Sequence, residues 1–328
     1  MWQEIITAIQ QHTRFVISSH INPDCDALGS ELALAEHLER LGKKPTIINT
    51  DPTSANYRFL DPKRRIKQYS QKKHANLIDQ ADVIIVVDAS GGWDRLGAVG
   101  PVLGQTEALK LCIDHHPDAT DFVDLAVVDT ASAATAELIL DLIAHMGQPL
   151  TLTMAQALYA AIITDTGNFR FPKTSPRTHR LTATLLEAGA DPLHIYRQIY
   201  EQNRLGAVQV KGQIMESIQT AANGQLAYYS VSQATLKEFK AKASDLDGVA
   251  TLGQMIGGVR VSVFCSEVSN GRVKISLRSD GSLRINQIAV EYGGGGHPSA
   301  AGAIVPGKLE VVLAEVIGKV EALLAEHQ

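Results

Sequence analysis

The chain has 328 residues, of which 45% are hydrophobic, 20% charged and 5% aromatic, and its 30 Lys and Arg against 35 Asp and Glu give a formal net charge of −5. This length predicts about two domains, and the composition excludes a disordered or collagen-like chain. The negative charge argues against broad binding of long nucleic acid, but a small phosphorylated ligand in a pocket stays open.

The three cysteines, Cys25, Cys112 and Cys265, are far apart and lack the spacing of metal ligands. A disulfide framework is therefore not expected, and a reducing cytoplasm fits best. The first residues have neither the basic nor the apolar region of a signal peptide, and the apolar run 83–87 is too short to cross a bilayer. We expect a cytoplasmic protein without a membrane partner.

Short apolar runs alternate with helical patterns in the first half of the chain. Strands are predicted at 15–19, 46–49, 83–87 and 109–113, and helices at 27–41, 133–146, 152–163 and 178–188. Glycines end three of these helices, as is usual at a helix C-terminus. The run 83–87 is almost wholly apolar, which is typical of a strand buried on both faces. The alternation predicts a parallel sheet with helices on both faces.

The second half has a different pattern. Residues 191–224 are predicted to be a helical linker between a first domain, 1–190, and a second, smaller domain, 225–328. Strands are predicted at 225–231, 258–266 and 273–278, with Ser269-Asn270-Gly271 as the turn before the last of them. A glycine run, 293–296, precedes His297, and an amphipathic helix at 308–326 follows.

Aspartate and histidine residues cluster where predicted elements end. They are His20, Asp24 and Asp26 after the first strand, Asp88 after the third, Asp114, His115 and His116 after the fourth, and Asp165 after a helix. Ligand sites of parallel α/β sheets lie outside the carboxyl ends of the strands, so we expect these groups to converge. Asp and His together bind divalent metals, and four carboxylates would balance the charge of two such ions. A two-metal site can generate hydroxide and clamp a phosphoryl group.

These motifs resemble the DHH phosphoesterase superfamily. Asp114-His115-His116 matches the signature that gives the family its name, the run from His20 to Ser30 matches its first motif, and Asp88 and Asp165 match the second and fourth. The second half resembles the associated DHHA1 domain through residues 276–279 and 293–302. The resemblance implies an α/β fold: a parallel-sheet DHH domain with flanking helices, a smaller α/β DHHA1 domain with a mixed sheet, and an active site in the cleft between them.

The resemblance also implies a role for each matching residue. His20 and Asp24 would bind one metal ion, Asp26, His115 and Asp165 a second, and Asp88 would bridge the two as a catalytic residue. His116 would be catalytic and contact the scissile phosphate. The remaining substrate-binding residues would be Arg278, Ser279, Gly295, Gly296 and His297. The implied cofactors are two divalent ions, with manganese expected and magnesium or cobalt as alternatives. Cys25 departs from the family, since many relatives have glycine there.

Within the superfamily, the compact two-domain chain is most similar to the nanoRNase branch, which combines oligoribonuclease and pAp phosphatase activities. The leading hypothesis is thus a hydrolase that releases mononucleotides from RNAs of two to about five nucleotides and also converts pAp to AMP. Its partners would be short oligoribonucleotides, dinucleotides and pAp, not long duplexes, and a homodimer is left open. The scarce aromatics and the negative charge favour short substrates, since a long-strand nuclease needs a basic groove and stacking platforms.

Other functions stay open on the sequence alone. One is a phosphodiesterase for cyclic or linear dinucleotides in signal turnover, and another is a RecJ-like single-strand exonuclease. An inorganic pyrophosphatase of related fold would be expected to lack the glycine-rich His297 motif. A catalytically silent nucleotide-binding module would be expected to have lost a metal ligand. The basic run Lys63-Arg64-Arg65 is interpreted as a solvated surface rather than a nucleic-acid patch.

Overall fold

The structure, a computed structural model, describes residues 2–327 of the chain. The chain divides into two compact units, Met1–Gln202 and Asn203–Gln328. Each unit contains one six-stranded sheet. Among the described residues, no helix combines the length and the apolar character needed to span a bilayer.

The sheet of the first unit is parallel throughout, as predicted. Its strands are β1 (Arg14–Ser18), β2 (Lys44–Asn49), β3 (Ile66–Gln68), β4 (Val83–Val87), β5 (Leu109–Asp114) and β6 (Leu125–Val128). They lie in the order β3-β2-β1-β4-β5-β6, and every neighbouring pair is parallel. β4 coincides with the predicted run 83–87, and all five of its side chains are buried.

Helices cover both faces of this sheet. They are α1 (Gln3–Gln11), α2 (Cys25–Arg40), α3 (Gln71–Asp79), α4 (Gly100–Gly104), α5 (Thr135–His145), α6 (Leu152–Asp165), α7 (Pro176–Glu187) and α8 (Pro192–Tyr200). Alternate strand residues enter two separate cores: Ile85 packs in the core formed with α1, α2, α5 and α6, and Ile84 in the core that includes residues of α3 and α4. This arrangement confirms the predicted two-sided sheet.

Two site-bearing helices, α2 and α6, pack very closely at Gly29. A Cβ at this position would lie 2.4 Å from the carbonyl oxygen of Ala157 and 3.0 Å from the Cβ of Ala161. Only glycine lets the two backbones approach this far. The contact fixes the start of α2 relative to the end of α6, where Asp165 lies.

The second unit contains a mixed sheet, also as predicted. Its strands are β7 (Gln219–Ala221), β8 (Leu226–Val231), β9 (Val261–Val268), β10 (Arg272–Ser279), β11 (Gly295–His297) and β12 (Ala300–Pro306), in the order β11-β12-β10-β9-β8-β7. β8 and β9 are parallel, and the other pairs are antiparallel. The predicted turn is present, with positive φ at both Asn270 and Gly271, which suits a tight hairpin.

The helices of the second unit are α9 (Leu205–Glu216), α10 (Gln233–Glu238), α11 (Asn286–Glu291) and α12 (Leu309–Ala325). Residues 191–224, predicted as a helical linker, hold α8, α9 and the short strand β7. The long final helix buries residues four apart, Val312, Val316, Val320 and Leu324, against the sheet. This spacing is one face of an α-helix.

Candidate metal centre

The loop between β1 and α2 carries the first group of predicted ligands. Asp24 is the N-cap of α2, and its carboxylate accepts hydrogen bonds from the backbone N–H of Asp26 (3.0 Å) and Ala27 (3.1 Å). Such a cap satisfies N–H groups that have no partner within the helix. Residues at the end of β2 and just after it hold the loop from the other side, since Asn49 accepts from Ser19 N and Asp51 from Asn22 N.

Asp26 joins this loop to the start of α5. The N-cap of α5 is Ala134, which has no side chain to cap the helix. The carboxylate of Asp26 takes that part, because it accepts the N–H groups of Thr135 (2.7 Å) and Ala136 (2.9 Å). A carboxylate at a helix N-terminus is also favoured by the helix dipole. Asp26 is only 1% exposed, and these two hydrogen bonds hold its buried carboxylate in place.

Asp88 lies between two histidines. It follows β4 directly, has a positive φ of 60° and is buried. One carboxylate oxygen, Oδ2, lies 3.6 Å from Nε2 of His20, and the other, Oδ1, lies 3.7 Å from Nε2 of His115. Oδ1 also accepts a hydrogen bond from the hydroxyl of Thr135, at 2.8 Å. Nδ1 of His116 also lies 3.5 Å from Oδ1. The two oxygens of Asp88 thus face different histidines, Oδ2 towards His20 and Oδ1 towards His115 and His116, and a bridging ligand needs its oxygens directed apart in this way.

Asp114, at the end of β5, organises the residues that follow it. Its Oδ1 accepts the backbone N–H groups of His115 (2.6 Å) and His116 (3.2 Å) and Nδ1 of His116 (2.8 Å), and its Oδ2 accepts the N–H of Ser90. The fully buried carboxylate has little capacity left for a metal. We interpret it as the group that orients His116.

All six predicted metal ligands converge. Their ligand atoms fall into two groups, each with its members within 4.8 Å of one another: His20, Asp24 and Asp88 in one, and Asp26, His115 and Asp165 in the other. A third group combines Asp88 with Asp114, His115 and His116. The first two groups coincide with the two ligand sets expected from the sequence, with Asp88 between them.

The histidine hydrogen bonds show that this donor set suits divalent metal ions. Nδ1 of His20 lies 2.8 Å from the carbonyl of Ile21, and Nδ1 of His115 lies 3.1 Å from the carbonyl of Ser132. Because a carbonyl only accepts, each Nδ1 carries the proton, which leaves the lone pair of Nε2 directed at the carboxylates. This is the usual second contact of a metal-binding histidine.

The electrostatics favour a bound cation. Burial raises the pKa of both Asp26 and Asp88 well above the ordinary range, and neighbouring carboxylates raise them further. Burial, together with Asp24, raises the pKa of Asp165 to about 7. Burial and the neighbouring His116 lower the pKa of His115 to about 4, so this imidazole stays neutral. Like charges crowded in low dielectric are costly unless cations compensate them.

His116 has the opposite character. A hydrogen bond from its Nδ1 to Asp114 raises its pKa, and the charge of that carboxylate adds to the effect against the opposing influence of burial. Its side chain is 31% exposed, and its Nε2 makes no hydrogen bond to another described residue. His116 is thus a partly accessible imidazole beside the carboxylate cluster, and its hydrogen bond to Asp114 favours the protonated form.

Sequence reasoning missed three residues at this site. Thr135 donates to Asp88, the carbonyl of Ser132 orients His115, and the ammonium of Lys173 lies 3.3 Å from the carbonyl of His115. Thr135 had one indirect signal, because the start of α5 lacks a polar N-cap and its N–H groups need an acceptor from elsewhere, which Asp26 supplies. For Ser132 and Lys173 we find no such signal in the sequence.

The predicted substrate residues of the second unit lie on one edge of its sheet. Arg278 and His297 both pair with Ala300, from opposite sides of β12. They therefore occupy one row on the same face, with Cα atoms about 10 Å apart. Gly295 and Gly296 precede His297 in β11. A Cβ on Gly296 would lie 2.5 Å from the carbonyl oxygen of Ala300, so this close strand pairing needs glycine.

Ser279 differs from these neighbours. It is 7% exposed, and its hydroxyl donates to the carbonyl of Leu283 at 2.8 Å. The hydroxyl therefore stabilises the turn that follows β10. Substrate binding by Ser279, like that by Arg278 and His297, stays a prediction.

Comparison with known proteins identifies the family. The model of the DHH family, N-terminal domain, matches residues 14–162, and that of the DHHA1 domain matches residues 223–326. The bifunctional oligoribonuclease and PAP phosphatase NrnA of Bacillus subtilis (strain 168) is 30% identical over 100% of both chains. The chain belongs to the DHH family. The NrnA protein of Thermus thermophilus is 32% identical over 89% of this DHH chain and 84% of its own.

A solved structure has the same fold over nearly the whole DHH chain. The crystal structure of an exopolyphosphatase-related protein from Bacteroides fragilis superposes with a TM-score of 0.92, at 27% identity, over 98% of this chain and 96% of that one. The family and the two-unit α/β fold predicted from the sequence motifs of both halves are thus confirmed.

Proposed function

We propose that this chain is a metal-dependent hydrolase that releases mononucleotides from RNAs of two to about five nucleotides and also removes a phosphate from pAp. Its class, a hydrolase of phosphoester bonds, agrees with its family and with the names of its relatives. Those names favour this hypothesis over a signalling phosphodiesterase or a RecJ-like exonuclease.

The observation that carries the proposal is the position of Asp88. Its two carboxylate oxygens face His20 and His115, and the remaining ligand candidates divide between those histidines. We infer two divalent ions, with manganese expected: one held by His20, Asp24 and Asp88, the other by Asp26, His115, Asp165 and Asp88. When bound, such ions supply an activated water and offset charge on the phosphoryl oxygens.

His116 is the residue we assign to the substrate. Hydrogen-bonded through Nδ1 to Asp114, it presents Nε2–H to the space beside the cluster, and its raised pKa favours the imidazolium form. An imidazolium there can donate to a non-bridging phosphate oxygen and protonate the leaving oxygen. Asp114 fixes the ring and its charge, in the way that a buried aspartate orients the base of a catalytic triad.

The test compares variants on one substrate. Protein freed of metal with EDTA is assayed on the dinucleotide pApA after addition of Mn²⁺, Mg²⁺ or Co²⁺. Asp88→Ala and Asp165→Ala should each lower kcat/KM about a thousandfold or more, because loss of one carboxylate leaves buried charge uncompensated. Asp121→Ala, at an exposed aspartate outside the cluster, is the matched control. Unchanged turnover in Asp88→Ala would contradict the proposal.

A further inference from the structure

A basic segment lies outside the candidate metal centre. Residues 62–78 contain six of the chain's 30 Lys and Arg residues and no Asp or Glu. In a chain with a net charge of −5, this is a pronounced local excess of positive charge. Most of the segment belongs to the edge strand β3 and to α3, which follows it.

Two adjoining cavities line this edge of the sheet. Their volumes are about 530 and 490 Å³, and Arg64, Ile66 and Gln68 line both of them. Arg58 borders the first cavity, and Lys67 and Lys73 border the second. We call this double cavity, with its cations Arg58, Arg64, Lys67 and Lys73, the β3 groove.

The cations of the β3 groove are available to a ligand. Among the described residues, none of the four forms an ion pair with a carboxylate, and all four are exposed. The ammonium of Lys67 donates one hydrogen bond to the carbonyl of Arg64, which leaves its other N–H groups free for a ligand. The neighbouring Arg65, by contrast, pairs with Glu39 at 2.8 Å. The one acidic residue that lines the groove, Asp61, is buried, and its carboxylate accepts the backbone N–H groups of Arg65 and Ile66.

The groove adjoins the metal-ligand loop. Pro52 and Thr53 line it, and they directly follow Asp51, whose carboxylate holds the N–H of Asn22 between His20 and Asp24. In the sheet, β3 lies two strands from β1, a lateral distance of about 10 Å. A nucleotide chain bound at the cluster would reach the groove with nucleotides further along the chain.

We propose that the β3 groove binds the phosphodiester backbone of those further nucleotides, an inference that rests on the proposed function. Guanidinium groups bind phosphate in a bidentate manner, and ammonium groups add charge without reading sequence. An RNA backbone fits better than an acidic peptide because the groove continues from a site whose substrate carries phosphodiesters. The groove therefore makes the enzyme sensitive to substrate length. Of the run Lys63-Arg64-Arg65, which the sequence predicts to be a solvated surface, only Arg64 lines the groove.

The test measures the ratio of kcat/KM for a pentanucleotide to that for a dinucleotide, at 50 and 200 mM salt. The groove variant carries Arg64→Gln, Lys67→Gln and Lys73→Gln. Each phosphate contact of a single strand contributes about 0.7 to the slope of log affinity against log salt. A variant that loses two phosphate contacts therefore has a slope that is smaller by about 1.4. Its affinity then falls about sevenfold less between 50 and 200 mM salt. We expect the groove variant to lose this part of the salt dependence. We also expect its ratio of pentanucleotide to dinucleotide kcat/KM at 50 mM salt to be lower than that of the natural protein.

A control variant, Arg40→Gln with Arg180→Gln and Lys237→Gln, removes the same charge at exposed positions elsewhere. Fluorescence anisotropy of a labelled pentanucleotide with metal-free protein measures binding at the groove without turnover. A failure of the groove proposal can therefore be distinguished from a failure of the proposed function. Equal ratios and equal anisotropy in both variants would overturn the proposal. So would a change of oligomeric state confined to the groove variant, or binding of poly-glutamate in place of RNA.

Discussion

The buried acid Glu31 gives the structure a predictable pH dependence. It lies in α2, is fully buried, and its Oε2 accepts a hydrogen bond from Asn49 at 2.9 Å, while Oε1 has no partner among the described residues. Burial raises its pKa from 4.5 to about 8, against the opposing effect of the Asn49 hydrogen bond. Glu31 is therefore protonated in the folded protein at neutral pH.

The sign of the effect follows from the proton count. Between pH 4.5 and about 8, the folded chain holds a proton on Glu31 that the unfolded chain has lost, so the free energy of unfolding falls as pH rises through this range. The contribution is complete below pH 4.5 and lost above about pH 8. The protonation of Glu31 contributes at most about 5 kcal/mol to the free energy of unfolding.

Glu31→Gln removes the ionisation but keeps an oxygen for Asn49. We expect the variant to match the natural protein near pH 5 and to exceed it by about 2–4 kcal/mol at pH 9. Urea unfolding of the EDTA-treated protein at pH 5, 7 and 9 measures this, with Glu107→Gln as the control at an exposed glutamate. An identical pH dependence in the natural protein and Glu31→Gln would show that Glu31 does not cause the loss of stability at high pH.

Three further predictions concern the metal centre. Asp88→Asn should abolish tight Mn²⁺ binding in calorimetry yet stabilise the metal-free protein at pH 8, because burial and the neighbouring carboxylates disfavour the charged form of Asp88. A destabilised metal-free variant would contradict this. Thr135→Val removes the hydroxyl on Asp88 and should weaken Mn²⁺ binding about tenfold, whereas Thr184→Val, on the exposed face of α7, should not. Lys173→Gln should raise KM for pApA several-fold with little change in kcat, since its ammonium borders the cluster; an unchanged KM would exclude Lys173 from the substrate site.

The sequence predicted the elements and residues whose signals are local. The apolar run of β4 and the glycines that end helices are recognisable from a few neighbouring residues. The ligand candidates lie at the carboxyl ends of strands, where a parallel sheet brings them together. The short strands β3 and β6 were not predicted, because only three or four partly exposed residues form each of them.

The supporting contacts of the site could not be predicted because they join distant parts of the chain. Asp26 caps a helix that starts 109 residues later, and Thr135 reaches Asp88 across 47 residues. Such contacts depend on strand order and on the close packing of α2 against α6, neither of which a single sequence specifies. The same limit explains why the position of Arg64 beside a cavity became visible only in the structure.

The proposed function is tested most directly by turnover as a function of substrate length. Purified protein with Mn²⁺ is given pApA, a five-nucleotide RNA, a 24-nucleotide RNA and pAp, and the products are identified by chromatography. We expect rapid release of mononucleotides from pApA and the five-nucleotide RNA, conversion of pAp to AMP, and a nearly inert 24-nucleotide RNA. Degradation of the 24-nucleotide RNA as fast as that of pApA would contradict the proposed function. A complete lack of turnover on all four substrates would also contradict it.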